Sequence, residues 1–353
     1  MKVLLWGPLS PKGLPSRGGF EATNRKIADK LEEEGFTVLE NPNPVVNQKW
    51  GFLGRLVYLK LFVTPLKLLR YVGGKDVILH ITPLDRGLIY PSVLTVWFAH
   101  FLKIPVFVHI LAGTFFMFYD SRGPIYRSAV KLLIKNASAV GVEGETYISQ
   151  LKEKIGYNGY IMYFPTTVSC RNLPIHNTQI GKFNLFYFGR LNKAKGVNTM
   201  IEIIEMLDDR FHLFLDGFIS DDIDVSRLNS SKITYLGIES KSQLKETMKA
   251  MTIFIFPTTH VGEGQANSLV EAMSEGLIPV TSDQGFCSEV VGDCGVVLST
   301  ESTAEDYKNA ILRLCNKDLN LLSQNCQKRI KTNHNLDIVA KRLNEYYSLI
   351  SKT

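Results

Sequence analysis

The 353-residue sequence has no paired-cysteine motif: Cys170, Cys287, Cys294, Cys315 and Cys326 form no C-x-x-C and are odd in number. Its seven histidines contain no H-x-x-x-H spacing. These absences argue against a structural zinc site and against a disulfide framework. The apolar run at the N-terminus, Val3–Trp6, is closed by Gly7-Pro8 and is too short for a signal peptide, so a cytoplasmic protein is expected. Long hydrophobic runs are also scarce. The stretch from Gly87 to Tyr119 has Lys103 as its one formal charge, with 16 residues on either side. Each arm is shorter than the ~20 residues of a membrane span, and Pro91, Pro105, His100 and His109 fit a buried helix followed by a core strand. There is no short repeat and no low-complexity tract.

What is present is an ordinary globular composition, 45% hydrophobic and 21% charged, too long for one small core and suited to two domains. The net charge of +6 hides an asymmetry. Residues 1–175 hold 21 Lys and Arg against 12 Asp and Glu, whereas residues 176–353 hold 19 against 22. A basic half points to an anionic surface as a partner of that half. From Asn41 to Lys75 there is no acidic residue at all, while Lys49, Arg55, Lys60, Lys67, Arg70 and Lys75 alternate with Trp50, Phe52, Leu53, Tyr58, Phe62 and Leu66. A basic amphipathic segment suits an anionic membrane surface. A core-facing helix with a solvated basic edge fits the same pattern. Nucleic acid is not expected, since no binding module is recognisable.

Short apolar runs alternate with amphipathic stretches along the whole chain. Val3–Trp6, Thr37–Leu39, Val77–Ile81, Val106–Ile110, Ala139–Val142 and Tyr160–Tyr163 read as strands of the first half. Asn184–Phe188, His212–Leu215, Ile233–Leu236, Ile253–Phe256 and Ile278–Thr281 read as strands of the second. Continuous apolar strands between helices imply parallel sheets covered on both faces. The expected architecture is α/β, two Rossmann-like doubly wound domains facing a central cleft. The polar stretch from Pro165 to Gly181 holds the junction. One domain covers 1–172, with a C-terminal helix at 336–353 packing back on it, and a second covers 173–335.

Two motifs carry chemistry. The strand Phe183–Phe188 ends in Gly189-Arg190, followed by Leu191-Asn192-Lys193-Ala194-Lys195-Gly196-Val197. Cations at a strand's end, just before a helix, are placed for an anion such as a diphosphate, and a solvated basic loop is the plain alternative. The second motif, Glu263-Gly264-Gln265-Ala266-Asn267-Ser268-Leu269-Val270-Glu271-Ala272-Met273, follows the strand Ile253–Phe256 and Pro257. A helix starting near Asn267 or Ser268 aims free N–H groups at the turn beside Glu263. Ser268-x-x-Glu271 also reads as a capping box, which needs no ligand. Asp222-Ile223-Asp224 has the spacing of a metal-binding D-x-D but lies in a polar stretch that reads as a surface loop.

Together the two motifs resemble the signature of the family four retaining glycosyltransferases of GT-B fold. These carry Gly-Arg-Leu…Lys-Gly after one strand and Glu-Gly-x-x-Asn-x-x-x-Glu-Ala-Met after another. Gly276, Pro279 and Val280 continue the second pattern. The resemblance implies that Arg190 and Lys195 hold the donor diphosphate, that Glu263 contacts the donor sugar, and that Glu271 binds the ribose. It implies further donor contacts from Gly264 and from the amides near Asn267 and Ser268. Ser16-Arg17-Gly18-Gly19 is similar to the family's Gly-Gly loop, which brings Gly18 and Gly19 to the ligand; an ordinary tight turn is the alternative. His109-Ile110-Leu111 resembles a family segment in which a polar residue, often His, stands where this chain has Leu111. Some members have a His two positions earlier, which His109 matches, and this makes His109 a candidate contact to acceptor or sugar, against the plain reading of a core histidine.

The implied activity is transfer of a sugar, with retention, from a UDP- or GDP-linked donor to a glycan hydroxyl. The acceptor is expected to be lipid-linked, in surface polysaccharide assembly, with the protein peripheral at the inner face of the cell membrane. No metal and no other cofactor is expected. Residues around Gly237–Glu239 are candidates to border the base, with uracil and guanine both open. Two other readings stand beside this one: a nucleotide-sugar epimerase of similar fold, and a catalytically inactive scaffold that binds sugar nucleotides.

Overall fold

The computed structural model describes residues 1–14, 16, 18–42, 58–72, 76–84, 88–170 and 181–352. It divides into two compact units: Met1–Pro165 with Asp337–Thr353, and Thr166–Leu336. Thr166 to Cys170 go with the second unit for a visible reason. The Thr166 N–H donates to Gln265 Oε1 at 2.9 Å, and the Val168 N–H donates to the His334 carbonyl at 2.9 Å.

The first unit is built on a six-stranded parallel sheet of order β2-β1-β3-β4-β5-β6. Its strands are β1 (Lys2–Gly7), β2 (Thr37–Pro42), β3 (Val77–Ile81), β4 (Val106–Ile110), β5 (Ala139–Val142) and β6 (Tyr160–Tyr163). β3, β4 and β5 are buried at every position, because helices lie on both faces. Helix α1 (Gly19–Glu33) places Ile27 and Leu31 on one face, beside Val3, Ile78 and Phe107. The C-terminal helix Leu336–Ile350 shares that face, adding Val339, Leu343, Tyr347 and Ile350 to the same core. Lys30 of α1 reaches Asp337 at 2.6 Å and Glu34 at 3.4 Å. Among the described residues no helix is long and apolar enough to cross a membrane. The Gly87–Tyr119 stretch becomes helix α2 (Ile89–Phe101), then β4, then α3 (Phe115–Ser121). At 13 residues α2 spans about 20 Å, well short of a hydrocarbon core.

The second unit repeats the design with β7 (Phe183–Phe188), β8 (Phe211–Asp216), β9 (Ile233–Gly237), β10 (Ile253–Phe256), β11 (Ile278–Ser282) and β12 (Val296–Leu298). All are parallel, in the order β12-β11-β10-β7-β8-β9. Short β12 escapes the sequence reading because three residues between Gly295 and Ser299 offer no period to detect. The chain runs outward from β7 to β9 on one side, then returns to lay β10 against the other side of β7. The carboxyl ends of β7 and β10 therefore flank the point where strand order reverses, the place where open α/β sheets bind ligands.

Candidate functional site

Both sequence motifs open from that point. β7 leads into Gly189-Arg190, and Asn192 caps a short 3-10 turn, Lys193–Lys195, its Oδ1 accepting the Lys195 N–H at 2.8 Å. Gly196 follows with φ +81, and helix α4 (Val197–Met206) begins. A Cβ at Gly196 would sit 2.2 Å from the Pro257 carbonyl oxygen, so glycine here lets the loop after β7 press against the loop after β10. Two hydrogen bonds stitch the loops together: the Thr259 N–H to the Ala194 carbonyl at 2.8 Å, and Thr258 Oγ1 to the same carbonyl at 3.2 Å. From below, Asp222 accepts the Lys193 N–H at 3.1 Å.

This bracing brings Lys195 and Glu263 together. The Lys195 ammonium donates to Glu263 Oε2 in a short ion pair, and Thr258 Oγ1 lies 3.2 Å from the same oxygen. The carboxylate side chain is 8% exposed and the lysine 20%. Lys195 Nζ also stands 5.4 Å from the centre of the Phe256 ring, a cation–π contact beneath the pair. Glu263 is held from behind by Gly285, at φ +62, where a Cβ would meet the Glu263 carbonyl oxygen at 2.3 Å. Arg190 is exposed. Its charge reaches both Tyr187 and His260.

Helix α5 (Asn267–Ser274) starts four residues after Glu263. Its N-cap is Ala266, and no side chain caps it. The capping box is therefore not formed: Ser268 lies within the first turn, two residues past the cap position. Asn267 Oδ1 is buried without a hydrogen-bond partner. Glu271 projects from the next turn and is half-buried. Gly264 accepts the Phe286 N–H at 3.3 Å and precedes the helix. The structure thus places Arg190, Lys195, Glu263, Gly264, Asn267, Ser268 and Glu271 in the two loop–helix segments that follow the neighbouring strands β7 and β10.

Two residues that the sequence reading missed stand in the same loop. Thr258 shares the Glu263 carboxylate with Lys195. His260 feels all three site charges: partial desolvation first, then Lys195, and also Arg190, hold it below the ordinary histidine value, against the opposing pull of Glu263. Neither carries a spacing signal. Their only mark in sequence is position, in a polar Thr258-Thr259-His260 run immediately after a strand at the reversal point.

Gly18 and Gly19 lie in the first unit, Gly18 as the N-cap of α1 with extended backbone and open space around it. Arg17 lies outside the described residues. His109 needs correction as a contact residue. It is completely buried, and its Nδ1 meets His80 Nε2 at 3.3 Å, while His80 Nδ1 meets the Tyr347 hydroxyl at 2.5 Å. The physical reason is pleat: His80 and His109 point to the face of the sheet covered by the C-terminal helix. Burial pushes His80 down to about 3 and His109 well below its usual value, so both rings are neutral. Leu111 is 3% exposed and equally distant from solvent. At the β1/β3 reversal point of this unit, a cavity of about 30 Å³ lined by Trp6, Asn41, Thr64, Thr82 and Thr95 has room for a water, not a sugar.

Asp222 and Asp224 have structural duties, Asp222 on the Lys193 N–H and Asp224 capping the turn Val225–Leu228. Among the described residues no group of three or more His, Cys, Asp or Glu is placed to hold a metal ion. The Gly237–Glu239 loop is tied to β8 through the Glu239 N–H, 2.9 Å from Asp216 Oδ2. Burial and the Glu239 charge raise Asp216, while the bond from the Glu239 N–H works against them.

Residues 182–317 match the family Glycosyl transferases group 1. That group 1 region runs from β7 to the end of the helix Ala304–Leu314 and contains every site residue of the second unit. Among the curated proteins, none matches the sequence. Solved structures with the same fold include a sucrose-phosphate synthase from Thermosynechococcus elongatus, at TM-score 0.73 and 15% identity over 100% of both chains. Anabaena HepE in complex with UDP gives 0.72 and 16%, over 99% of this chain and 100% of that one. The lipopolysaccharide outer core galactosyltransferase WaaB gives 0.68 and 14% over 100% of both chains. The fold is the two-sheet α/β arrangement of GT-B glycosyltransferases, and the match to the group 1 family lies within its second unit.

Proposed function

We propose that the protein is a retaining glycosyltransferase that moves a hexosyl group from a nucleotide-sugar donor to a hydroxyl of a lipid-linked glycan. The observation that carries this reading is the Lys195–Glu263 pair at the β7/β10 reversal point, beside the uncapped start of α5. An ammonium, a guanidinium and the N–H groups of a helix's first turn are the equipment for a diphosphate. A nearly buried carboxylate beside them is the equipment for sugar hydroxyls. The UDP seen with HepE makes a uridine donor the first to test.

Lys195 is paired with Glu263. A donor diphosphate competes for that ammonium and releases the carboxylate to the sugar, so one exchange sets both contacts. The bond from the anomeric carbon to the phosphate oxygen then breaks, and the acceptor oxygen bonds to that carbon from the same face. The acceptor proton passes to the departing phosphate oxygen. Arg190, Lys195 and the α5 amides stabilise the negative charge that grows there. Thr258 keeps Glu263 oriented throughout, and His260, neutral above its lowered value, is within reach as a hydrogen-bond partner of donor or acceptor.

The test incubates the purified protein with a panel of nucleotide sugars and a membrane lipid extract. Release of nucleoside diphosphate together with a new α- or β-linkage matching the donor's anomer supports the proposal. Interconversion of the sugars indicates epimerisation, and a nucleotide-dependent rise in melting temperature without turnover indicates a binding scaffold. Inversion of the anomeric centre rejects the retaining mechanism.

A further inference from the structure

Residues 58–72 of the first unit run from a turn of helix into the 3-10 helix Thr64–Tyr71. A 3-10 helix repeats every three residues, so side chains three apart line up. Three rows result. Pro65 and Leu68 point inward and are buried. Val63, Leu66, Leu69 and Val72 form a second row, extended by Leu59 one turn earlier, and each is 53–58% exposed. Lys67 and Arg70, with Lys60 ahead of them, form the third, and all are exposed. A basic edge over an apolar core face is therefore an incomplete description: a whole aliphatic row faces solvent. Lys49, Arg55 and Lys75, like Trp50, Phe52 and Leu53, lie outside the described residues.

Single exposed aliphatic side chains are ordinary, but a continuous row of five calls for a partner. The charges beside it identify the partner. There is no Asp or Glu from residue 41 to residue 75, and among the described residues no carboxylate pairs with Lys60, Lys67 or Arg70. Lys67 bonds instead to the neutral Asn41 Oδ1 at 2.8 Å, which leaves its charge intact. A second copy of the chain docking on this row in a two-fold contact sets cation against cation. A nucleic acid takes the cations but gains nothing from aliphatic side chains. An anionic bilayer uses both rows, the aliphatic one at the acyl boundary and the cations at the headgroups.

We propose that residues 58–72 are an interfacial docking element that seats the first unit on an anionic membrane through the Leu59–Val63–Leu66–Leu69–Val72 row. It goes beyond the sugar-transfer reading and does not depend on it. The test is co-sedimentation of the full chain with phosphatidylglycerol-containing vesicles and with pure phosphatidylcholine vesicles. The wild type binds the anionic vesicles preferentially. The double variant Leu66→Ser/Leu69→Ser loses about tenfold or more of that binding, and Lys60→Gln/Lys67→Gln/Arg70→Gln loses on the order of a hundredfold at low salt, both with unchanged melting temperature. In a Leu66→Trp variant the emission at that site shifts to the blue on anionic vesicles. Equal binding to both vesicle types, wild-type binding by the serine variant, or an unshifted emission overturns the proposal. So does a concentration-dependent dimer that the serine variant abolishes. None of these readouts involves the donor site, so their failure leaves the sugar-transfer reading untouched.

Discussion

A single ion pair organises the candidate site, and its two members are not equivalent. Glu263 is the more buried, with Thr258 as its second partner, so removing Lys195 strands a carboxylate in a place water scarcely reaches. Lys195→Ala is expected to lower stability by roughly 1–3 kcal/mol in denaturant titration, the lower end reflecting partial exposure. Arg190→Ala is expected to leave the melting temperature of the free protein unchanged, because Arg190 is exposed, while abolishing the rise produced by UDP-sugar. Glu263→Gln keeps a side chain of the same shape and should reduce turnover by about 10²–10³-fold with the fold intact by circular dichroism; wild-type turnover in that variant removes Glu263 from the site. Buried histidines give a separate prediction. His334, whose ring contacts the Thr166 carbonyl at 2.8 Å, is pushed down to about 4 by burial, and His80 to about 3. Between these values and the ordinary histidine value near 6.5 the unfolded chain binds protons that the folded chain refuses. Stability is therefore full above about pH 6.5 and falls as pH drops below it, by up to about 1.4 kcal/mol per pH unit for each histidine. Denaturation midpoints from pH 7.5 to 4.5 check this, and His334→Gln should flatten the slope.

At the scale of elements, the site depends on backbone proximity more than on any helix propensity. Gly196 ends the turn after β7 with the Pro257 carbonyl directly against it. Gly196→Ala combines a positive φ with that clash and should cost about 3 kcal/mol or more, with loss of donor binding, measured by thermal melting with and without nucleotide. Strands were readable in advance in both units: Val77–Ile81, Val106–Ile110, Ala139–Val142, Tyr160–Tyr163 and Ile253–Phe256 lie where their apolar runs placed them. Buried parallel strands announce themselves because no position in them tolerates a charge. Helix α5 was less readable. Ser268 and Glu271 have capping-box spacing, yet the helix begins two residues earlier than that box requires, and the first turn is left uncapped by side chains. Local spacing cannot distinguish those two registers, since the choice is made by how Leu269, Val270 and Met273 pack in the core.

At the scale of the molecule, the first unit is completed by chain from far away in sequence. The C-terminal helix contributes Val339, Leu343, Tyr347 and Ile350 to the core of the first unit, all essentially without exposure. Their burial is worth roughly 6–12 kcal/mol in transfer free energy, comparable to the whole stability of a domain. A chain ending at Leu336 should therefore lose the cooperative unfolding transition of the first unit, become protease-sensitive before residue 165, and keep a separate transition for the second unit in calorimetry. Survival of both transitions would show that the helix is dispensable. The two units fold around separate cores.

The amino-acid order alone determined the α/β class, every strand but short β12, and the pair of loop motifs, because burial and turn chemistry leave period and composition marks on the chain. Tertiary structure decided everything that depends on which side chains meet. It put His109 against His80 inside the first unit instead of at a ligand, joined Lys195 to Glu263 across 68 residues, and recruited Thr258 and His260. It also turned an aliphatic row of residues 59–72 outward. Such contacts follow from strand order and pleat direction, and those are settled by long-range packing that no local pattern records.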